Sequence, residues 1–86
     1  MRTDEYAITL SREVNICNKK LKEIESFIAE MERKYKVKTE VFIEEYLRGE
    51  RSGDKDFEKW KENYEALKIW LERKKQYDEI YMAMRT

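Results

Sequence analysis

The amino-acid sequence predicts a mainly all-α protein, in which two long helices are joined by a corner that contains a short helix. Three observations favour this fold class. The 86 residues include no Pro and only two Gly, whereas Glu, Lys, Leu, Ile and Met, which form helices readily, are abundant. Apolar residues recur every three or four positions in two long segments. Both glycines fall in one polar stretch between these segments, where we expect a turn.

Composition limits the size of the core and the classes of partner. We assign residues 1–86 to a single helical domain, and a domain of this size buries only about 60 to 65% of its unfolded surface. Charged residues make up 44% of the chain, but aromatic residues reach 13%, which is too many for a disordered polyelectrolyte. The 19 basic and 19 acidic residues balance, so no net charge attracts nucleic acid or anionic lipid. Nucleic acid is therefore a disfavoured partner, and we predict no membrane association.

The single cysteine and the N-terminal sequence bear on the cellular compartment. One Cys cannot form an internal disulfide, and the first ten residues contain no apolar run long enough for a signal peptide or a membrane span. We therefore expect a cytoplasmic protein.

The first long segment has the apolar spacing of a helix that packs along its length on another helix. Its apolar residues recur at alternating intervals of three and four positions over three heptads. We predict a long heptad helix over residues 11–36, with Ser11 or Thr9 as its N-cap. The expected core or dimer seam consists of Val14, Cys17, Leu21, Ile24, Ile28, Met31 and Tyr35.

Residues 1–10 form an N-terminal segment with two interpretations. Leu10 continues the heptad phase backwards, so the helix could begin as early as Thr3. Tyr6, Ile8 and Leu10 also alternate with smaller residues, as in a short strand. We favour helix and keep the short strand as the alternative.

The corner leads from the first long helix to the second. We predict a short amphipathic helix over residues 39–48, with Thr39 as its N-cap. The polar stretch RGERSGD then supplies a stop and a turn through its two glycines. A second long helix is predicted over residues 54–84, with Asp54 or Asp56 as its N-cap.

The second long helix carries two apolar stripes rich in aromatic residues. One stripe consists of Phe57, Trp60, Tyr64, Leu67 and Leu71. The other, displaced by about 80° around the helix, consists of Trp70, Tyr77, Tyr81 and Met84. A helix with two apolar faces needs two neighbours, so we expect one face to pack on the first helix and the other on a second copy. The predicted partner or dimer contacts are Phe57, Trp60, Tyr64, Trp70, Tyr77 and Tyr81.

The length of the two helices also favours self-association. A helix of about 25 residues spans close to 38 Å at about 1.5 Å per residue, which exceeds the width of a globule of this size. We therefore predict a helical hairpin that forms a homodimer, built as a bundle or coiled coil.

The side chains that usually carry catalysis are scarce. The sequence has no His, the commonest general base and zinc ligand, and no glycine-rich phosphate loop. Cys17 lies on the heptad seam, where core packing explains it better than nucleophilic chemistry. Solvated faces and helix caps account for the carboxylate pairs. We therefore predict no catalytic, cofactor-binding or metal-binding residues, and no enzyme activity.

Residues 32–71, ERKYKVKTEVFIEEYLRGERSGDKDFEKWKENYEALKIWL, resemble the small helical antitoxins of prokaryotic toxin–antitoxin modules. In that family a helix ends in Lys-Tyr-Gly, a short helix begins Ser-x-x-Glu-Phe, a turn with Gly and an acid follows, and an aromatic helix opens with Phe-x-x-Trp and continues with Ala-Leu. Lys36 and Lys38 depart from this pattern, because they replace the C-capping Gly and the capping Ser. The matching residues are Lys34, Tyr35, Phe42, Gly49, Asp54, Phe57, Trp60, Ala66 and Leu67.

The resemblance implies a protein-binding function. An antitoxin-like chain would neutralise a small cognate toxin, of a nuclease-like kind, by covering the toxin's active surface with the aromatic helix. Two alternatives stay open. One is a homodimeric helical scaffold that binds no toxin. The other follows from ITLSREV and TEVFIEEYLRG, which are similar to ribbon-helix-helix repressors that insert a strand pair into DNA, although Tyr6, Ile8 and Thr9 are poor readers of base edges.

Overall fold

The computed structural model describes the backbone of residues 2–85 and the side chains of residues 8–83, and it forms three helices. These are α1 (Arg2–Tyr35), α2 (Thr39–Leu47) and α3 (Lys55–Arg85). Helix α3 runs back along α1, so the molecule is a hairpin of 55 × 18 × 18 Å. No strand occurs in the described part of the chain. The predicted all-α class, with two long helices and a short helix between them, is confirmed.

The N-terminal end of α1 differs from its prediction. The helix begins at Arg2, so the favoured helical interpretation of the N-terminal segment is confirmed. The start of the long helix at residue 11 was wrong, and the alternative strand over residues 5–10 does not form. Leu10 gives the reason, because it is only 5% exposed and extends the buried side of α1 by another turn. Thr9 and Ser11 therefore lie inside the helix and do not cap it.

Helix α1 ends at Tyr35 without a glycine. Lys36, the next residue, has a φ of 55°, which is the left-handed conformation that commonly follows the last turn of a helix. A side chain with a Cβ is strained in this conformation, and glycine adopts it readily. Lys36 is thus the position at which α1 ends, in spite of its residue type.

Helix α2 begins and ends with backbone hydrogen bonds. Its N-cap is Lys38, which makes no side-chain capping bond, so the prediction that Thr39 caps the helix was wrong. At the other end, the Gly49 N–H donates to the Tyr46 carbonyl (3.0 Å) and the Glu50 N–H to the Glu45 carbonyl (2.9 Å). With a φ of 80° at Gly49, these bonds form a Schellman motif.

Helix α3 starts at the predicted cap. The Asp54 carboxylate accepts a hydrogen bond from the Asp56 N–H at 2.8 Å, as an N-cap residue does for the second residue of a helix. Of the two predicted candidates, Asp54 is therefore the cap. The Asp56 carboxylate is left to contact α1.

The core follows the seam of α1 along its whole length. Cys17, Leu21, Ile24, Ile28 and Met31 are each at most 8% exposed. The partners of this seam lie within the same chain, on α3 and α2. Val14 and Tyr35, at the ends of the predicted seam, are half-buried.

The buried face of α3 takes a different line from the predicted stripe. Leu71, at the end of the first predicted stripe, is 46% exposed, whereas Trp70 of the second stripe packs against the core cluster. The packed face therefore combines residues of both predicted stripes. Trp60, Leu67, Trp70, Tyr77 and Tyr81 lie on one seam with heptad spacing, whose other positions hold the polar residues Asn63 and Lys74. Helix α3 therefore has one packed face and not two, which removes the two-faced-helix argument for a second copy.

We expect Lys36→Gly to stabilise the protein, because it relieves the left-handed strain at the end of α1. The free energy of unfolding should rise by about 1 kcal/mol, measured by urea denaturation followed by circular dichroism. Lys22→Gly, in the interior of the same helix, is the control and should lower the free energy by about 1 kcal/mol. A loss of stability in both variants would contradict this account of the corner.

Candidate functional site

A chain of hydrogen bonds joins all three helices at the corner. The Glu32 carboxylate of α1 accepts from the Thr39 backbone N–H at 2.9 Å and from the Thr39 hydroxyl at 2.7 Å. The same hydroxyl oxygen accepts from the Trp60 indole N–H at 3.1 Å. Thr39 is 4% exposed and Trp60 is 0% exposed, so each bond satisfies a group that water does not reach.

These bonds favour the ionised form of Glu32. The hydroxyl of Thr39, and then its backbone N–H, donate to the carboxylate and lower the pKa of Glu32 below its usual value. Glu32 therefore stays charged at neutral pH and keeps both donors of Thr39 occupied. The Thr39 hydroxyl oxygen accepts from the Trp60 indole N–H, so it is engaged away from the backbone N–H groups that an N-cap side chain accepts from.

Aromatic packing adds to the hydrogen bonds at the corner. The rings of Phe42 and Trp60 stack at 3.9 Å between centroids, with an interplanar angle of 4°. The Tyr35 ring stacks on Trp60 at 6.0 Å and contacts Phe57 at 5.0 Å. Such contacts contribute about 0.5–1.5 kcal/mol per pair beyond the burial of area. The direction in which α3 leaves the corner is thereby fixed.

Asp56 ties the first turn of α3 to the last turn of α1. One of its carboxylate oxygens accepts from the Tyr35 hydroxyl at 2.7 Å and from the Lys34 ammonium at 2.8 Å. The hydrogen bond from Lys34, followed by that from Tyr35, lowers the pKa of Asp56. The predicted role of Asp56 as a cap is thus replaced by a contact between helices.

Polar contacts continue along the hairpin away from the corner. The Cys17 thiol donates to the Trp70 carbonyl at 3.4 Å, and the Ser11 and Tyr81 hydroxyls lie 2.9 Å apart. Burial raises the pKa of the Cys17 thiol, so this side chain remains a protonated core residue. Trp70 and Tyr81 therefore lie beside α1.

The predicted partner contacts divide by exposure. Trp60 has no exposed surface and is a core residue in this fold, unavailable to a partner. The other predicted contacts are half-buried against the rest of the hairpin, so each presents only part of its ring to solvent. They are Phe57, Tyr64, Trp70, Tyr77 and Tyr81.

One flank of α3 combines exposed apolar surface with aromatic edges. Ile69 is 56% exposed, and the Arg73 guanidinium lies 4.7 Å from the Trp70 ring centroid, in cation–π contact. Tyr77 and Ile80 follow at helical spacing and are half-buried. We call Ile69, Trp70, Arg73, Tyr77 and Ile80 the partner flank.

The opposite flank of α3 forms a shallow groove with charged walls. Its apolar ends are Leu71, 46% exposed, and Met82, 66% exposed. We call this surface the α3 groove; its lining residues are Leu71, Lys74, Lys75, Asp78, Glu79 and Met82.

Sequence reasoning missed Ile69 and the α3 groove. Ile69 directly precedes Trp70 in the chain, and it belonged to neither of the two predicted stripes. Leu71 was predicted as part of the stripe that runs through Trp60 and Leu67, and the charged residues near it were not predicted to line a groove. No signal in the sequence separates the two registers, because the one through Trp60 and Leu67 continues equally well to Trp70 or to Leu71.

We expect Glu32→Gln to weaken the corner in a pH-dependent way. Because the pKa of Glu32 is lower in the folded state, its contribution is present above the unfolded-state pKa of about 4.3 and is lost as pH falls through the folded-state pKa. The variant should lose about 1 kcal/mol of unfolding free energy at neutral pH and little in acid. Urea denaturation over a pH series measures the difference.

Glu25→Gln is the matched control for this series. Glu25 is exposed on the same helix, so its substitution should leave the stability curve close to that of the wild type. A wild-type advantage over Glu32→Gln that persists unchanged into strong acid would contradict the assigned role of the ionised carboxylate.

Neither a metal site nor a membrane-spanning helix is found in the part of the chain that the structure describes. Between residues 8 and 83, no group of three or more His, Cys, Asp or Glu side chains is placed to hold a metal ion. No helix of the described chain combines the length and apolar character needed to cross a bilayer.

The chain was also compared with known proteins. Protein-family models, curated proteins and solved structures contain no match to this sequence and fold.

Proposed function

We propose that this chain is an antitoxin-like, non-catalytic protein-binding module that neutralises a small cognate toxin by covering the toxin's active surface. The contact surface would be the partner flank of α3. The observation that carries the proposal is the exposed Ile69 beside the half-buried aromatic residues Trp70 and Tyr77 on one side of a rigidly held helix.

The chemistry of the partner flank supports protein recognition. Trp, Tyr and Arg are the residue types that most often dominate binding energy at protein interfaces. Here Arg73 is already stacked on Trp70, and Tyr77 is held against the hairpin, so these side chains lose less conformational freedom on binding. Ile69 supplies apolar area that a partner would remove from water.

The residues that match the antitoxin pattern support a shared scaffold. Phe42 and Trp60 form the stacked pair of the corner, Gly49 ends α2 with a positive φ, and Asp54 caps α3. The matched positions therefore form the corner, and the corner sets the direction of α3. Specificity for one toxin would lie in the flank beyond them.

The active form in this proposal is a homodimer. The described hairpin is only 18 Å across in its two shorter dimensions, and it exposes Leu71 and Met82 on one flank of α3. A second copy would cover part of this apolar surface. The absence of His from the whole sequence agrees with a binding role.

The DNA-binding alternative has less support. A ribbon-helix-helix repressor needs an N-terminal strand, and residues 5–10 belong to α1. The balanced charge of the chain also offers no field that favours phosphate. We therefore do not propose a repressor function.

Growth assays test the proposal. A small protein encoded next to this chain should arrest growth when expressed alone, and co-expression with this chain should restore growth. Ile69→Asp places a charge in the partner flank, so it should abolish the rescue while the helix content by circular dichroism is unchanged.

Ile8→Asp is the matched control, because Ile8 is 57% exposed and Ile69 is 56% exposed. It should retain the rescue. A harmless neighbouring protein would remove the antitoxin assignment and leave a scaffold. Equal rescue by both variants would remove the partner flank as the contact surface.

A further inference from the structure

The α3 groove has a charge pattern that is complementary to itself. Along the helix an apolar residue is followed by two cations, two anions and another apolar residue, with the order Leu71, Lys74, Lys75, Asp78, Glu79, Met82. When the same order is read backwards, each cation takes the position of an anion, and each apolar end takes the position of the other apolar end. A two-fold axis between residues 76 and 77 performs this reversal.

We propose that a second copy of this chain docks on the α3 groove, with the two α3 helices antiparallel about that axis. Lys75 would meet Asp78 of the second copy, while Lys74 and Glu79, about 140° apart around the helix, would lie on the two edges of the contact. The apolar ends would pack as Leu71 on Met82. The proposal rests on the homodimer part of the proposed function and names the surface that forms the dimer.

The charged side chains of the α3 groove form no ion pair with one another in the described structure. Lys61 and Glu65 form an ion pair four residues apart on the same helix, at 3.9 Å. Lys74 with Asp78 and Lys75 with Glu79 have the same spacing, yet no ion pair joins these side chains in the described structure. All four are exposed, so they are available to the opposite charges of a second copy.

Two-fold symmetry makes this surface suited to self-association. In an isologous interface each contact occurs twice, so a surface that matches its own reverse gains every favourable pair in duplicate. A parallel arrangement would instead set Lys75 against Lys75 and Asp78 against Asp78, which repel. The charge order therefore selects the antiparallel orientation.

The size of the contact sets the strength of the dimer. Residues 71 and 82 are about 16 Å apart along α3, so the interface is smaller than a standard one of about 800 Å² per partner. We expect a dimer that dissociates on dilution. Its charged centre should make it sensitive to salt, since exposed pairs are screened.

Charge reversal and charge exchange test the proposal on the full chain. Lys75→Asp alone, and Asp78→Lys alone, place like charges together across the axis, and each should weaken dimerisation by about tenfold or more. The double variant Lys75→Asp/Asp78→Lys restores opposite charges and should return to within about threefold of the wild type. Sedimentation velocity over about a hundredfold range of concentration measures these constants.

Glu72→Lys is the matched control, because it changes the charge as Asp78→Lys does but lies on α3 outside the groove. It should dimerise like the wild type. If the single charge reversals leave dimerisation unchanged, or if the double variant does not restore it, the α3 groove is not the dimer surface, although the homodimer itself still stands. A wild type that is monomeric throughout would overturn both, while toxin binding by the partner flank is judged separately in the growth assay.

Disulfide crosslinking tests the orientation. Leu71→Cys/Met82→Cys should form a covalent dimer on oxidation, because residue 71 of one copy faces residue 82 of the other. The two positions within one chain are about 16 Å apart, beyond the roughly 7 Å that a disulfide can bridge, so they cannot pair with each other. Leu71→Cys alone should not crosslink, since the axis holds the two copies of residue 71 apart. Rapid crosslinking of Leu71→Cys alone would indicate parallel helices and overturn the proposal. The native Cys17 is fully buried and does not compete.

Discussion

The hydrogen bonds from Trp60 to Thr39 and from Thr39 to Glu32 are the constraint on which the rest of the hairpin depends. They join one residue from each helix, and solvent does not reach Thr39 or Trp60. A buried indole N–H or hydroxyl without an acceptor costs about 1–3 kcal/mol, so the three helices can meet at only a few relative positions. With Phe42 stacked on Trp60, the corner sets the line along which α3 packs on α1.

The same constraint explains which features of the fold the sequence could predict. The seam of α1 repeats without interruption, so its helix and its buried side were readable from spacing alone. The seam of α3 contains Asn63 and Lys74, and two registers share Trp60 and Leu67. Periodicity cannot choose between Trp70 and Leu71 in that case. The choice is made by the packing angle, which is a property of the corner.

Two predicted N-caps were wrong because the side chain forms hydrogen bonds with another helix instead. Thr39 has the residue type of an N-cap, but its backbone N–H donates to the Glu32 carboxylate of α1 and its hydroxyl oxygen accepts from the Trp60 indole of α3. Asp56 behaves in the same way with Tyr35 and Lys34. The exposed flanks of α3 could not be predicted from the sequence for a related reason. Exposure depends on how α3 packs on its neighbouring helix, and the sequence leaves that register ambiguous.

The positions of the polar contacts along the hairpin have a consequence for the order in which it folds. Glu32 and Thr39 are seven residues apart, and Thr39 and Trp60 are 21 apart, whereas Ser11 and Tyr81 at the open end are 70 apart. Closing a short loop loses less chain entropy than closing a long one. The helices should therefore meet at the corner first and join progressively towards the termini, as a zipper closes. Opening should start from the end of the hairpin that holds the contact between Ser11 and Tyr81, where amide hydrogens around Ser11 would exchange faster than those around Trp60.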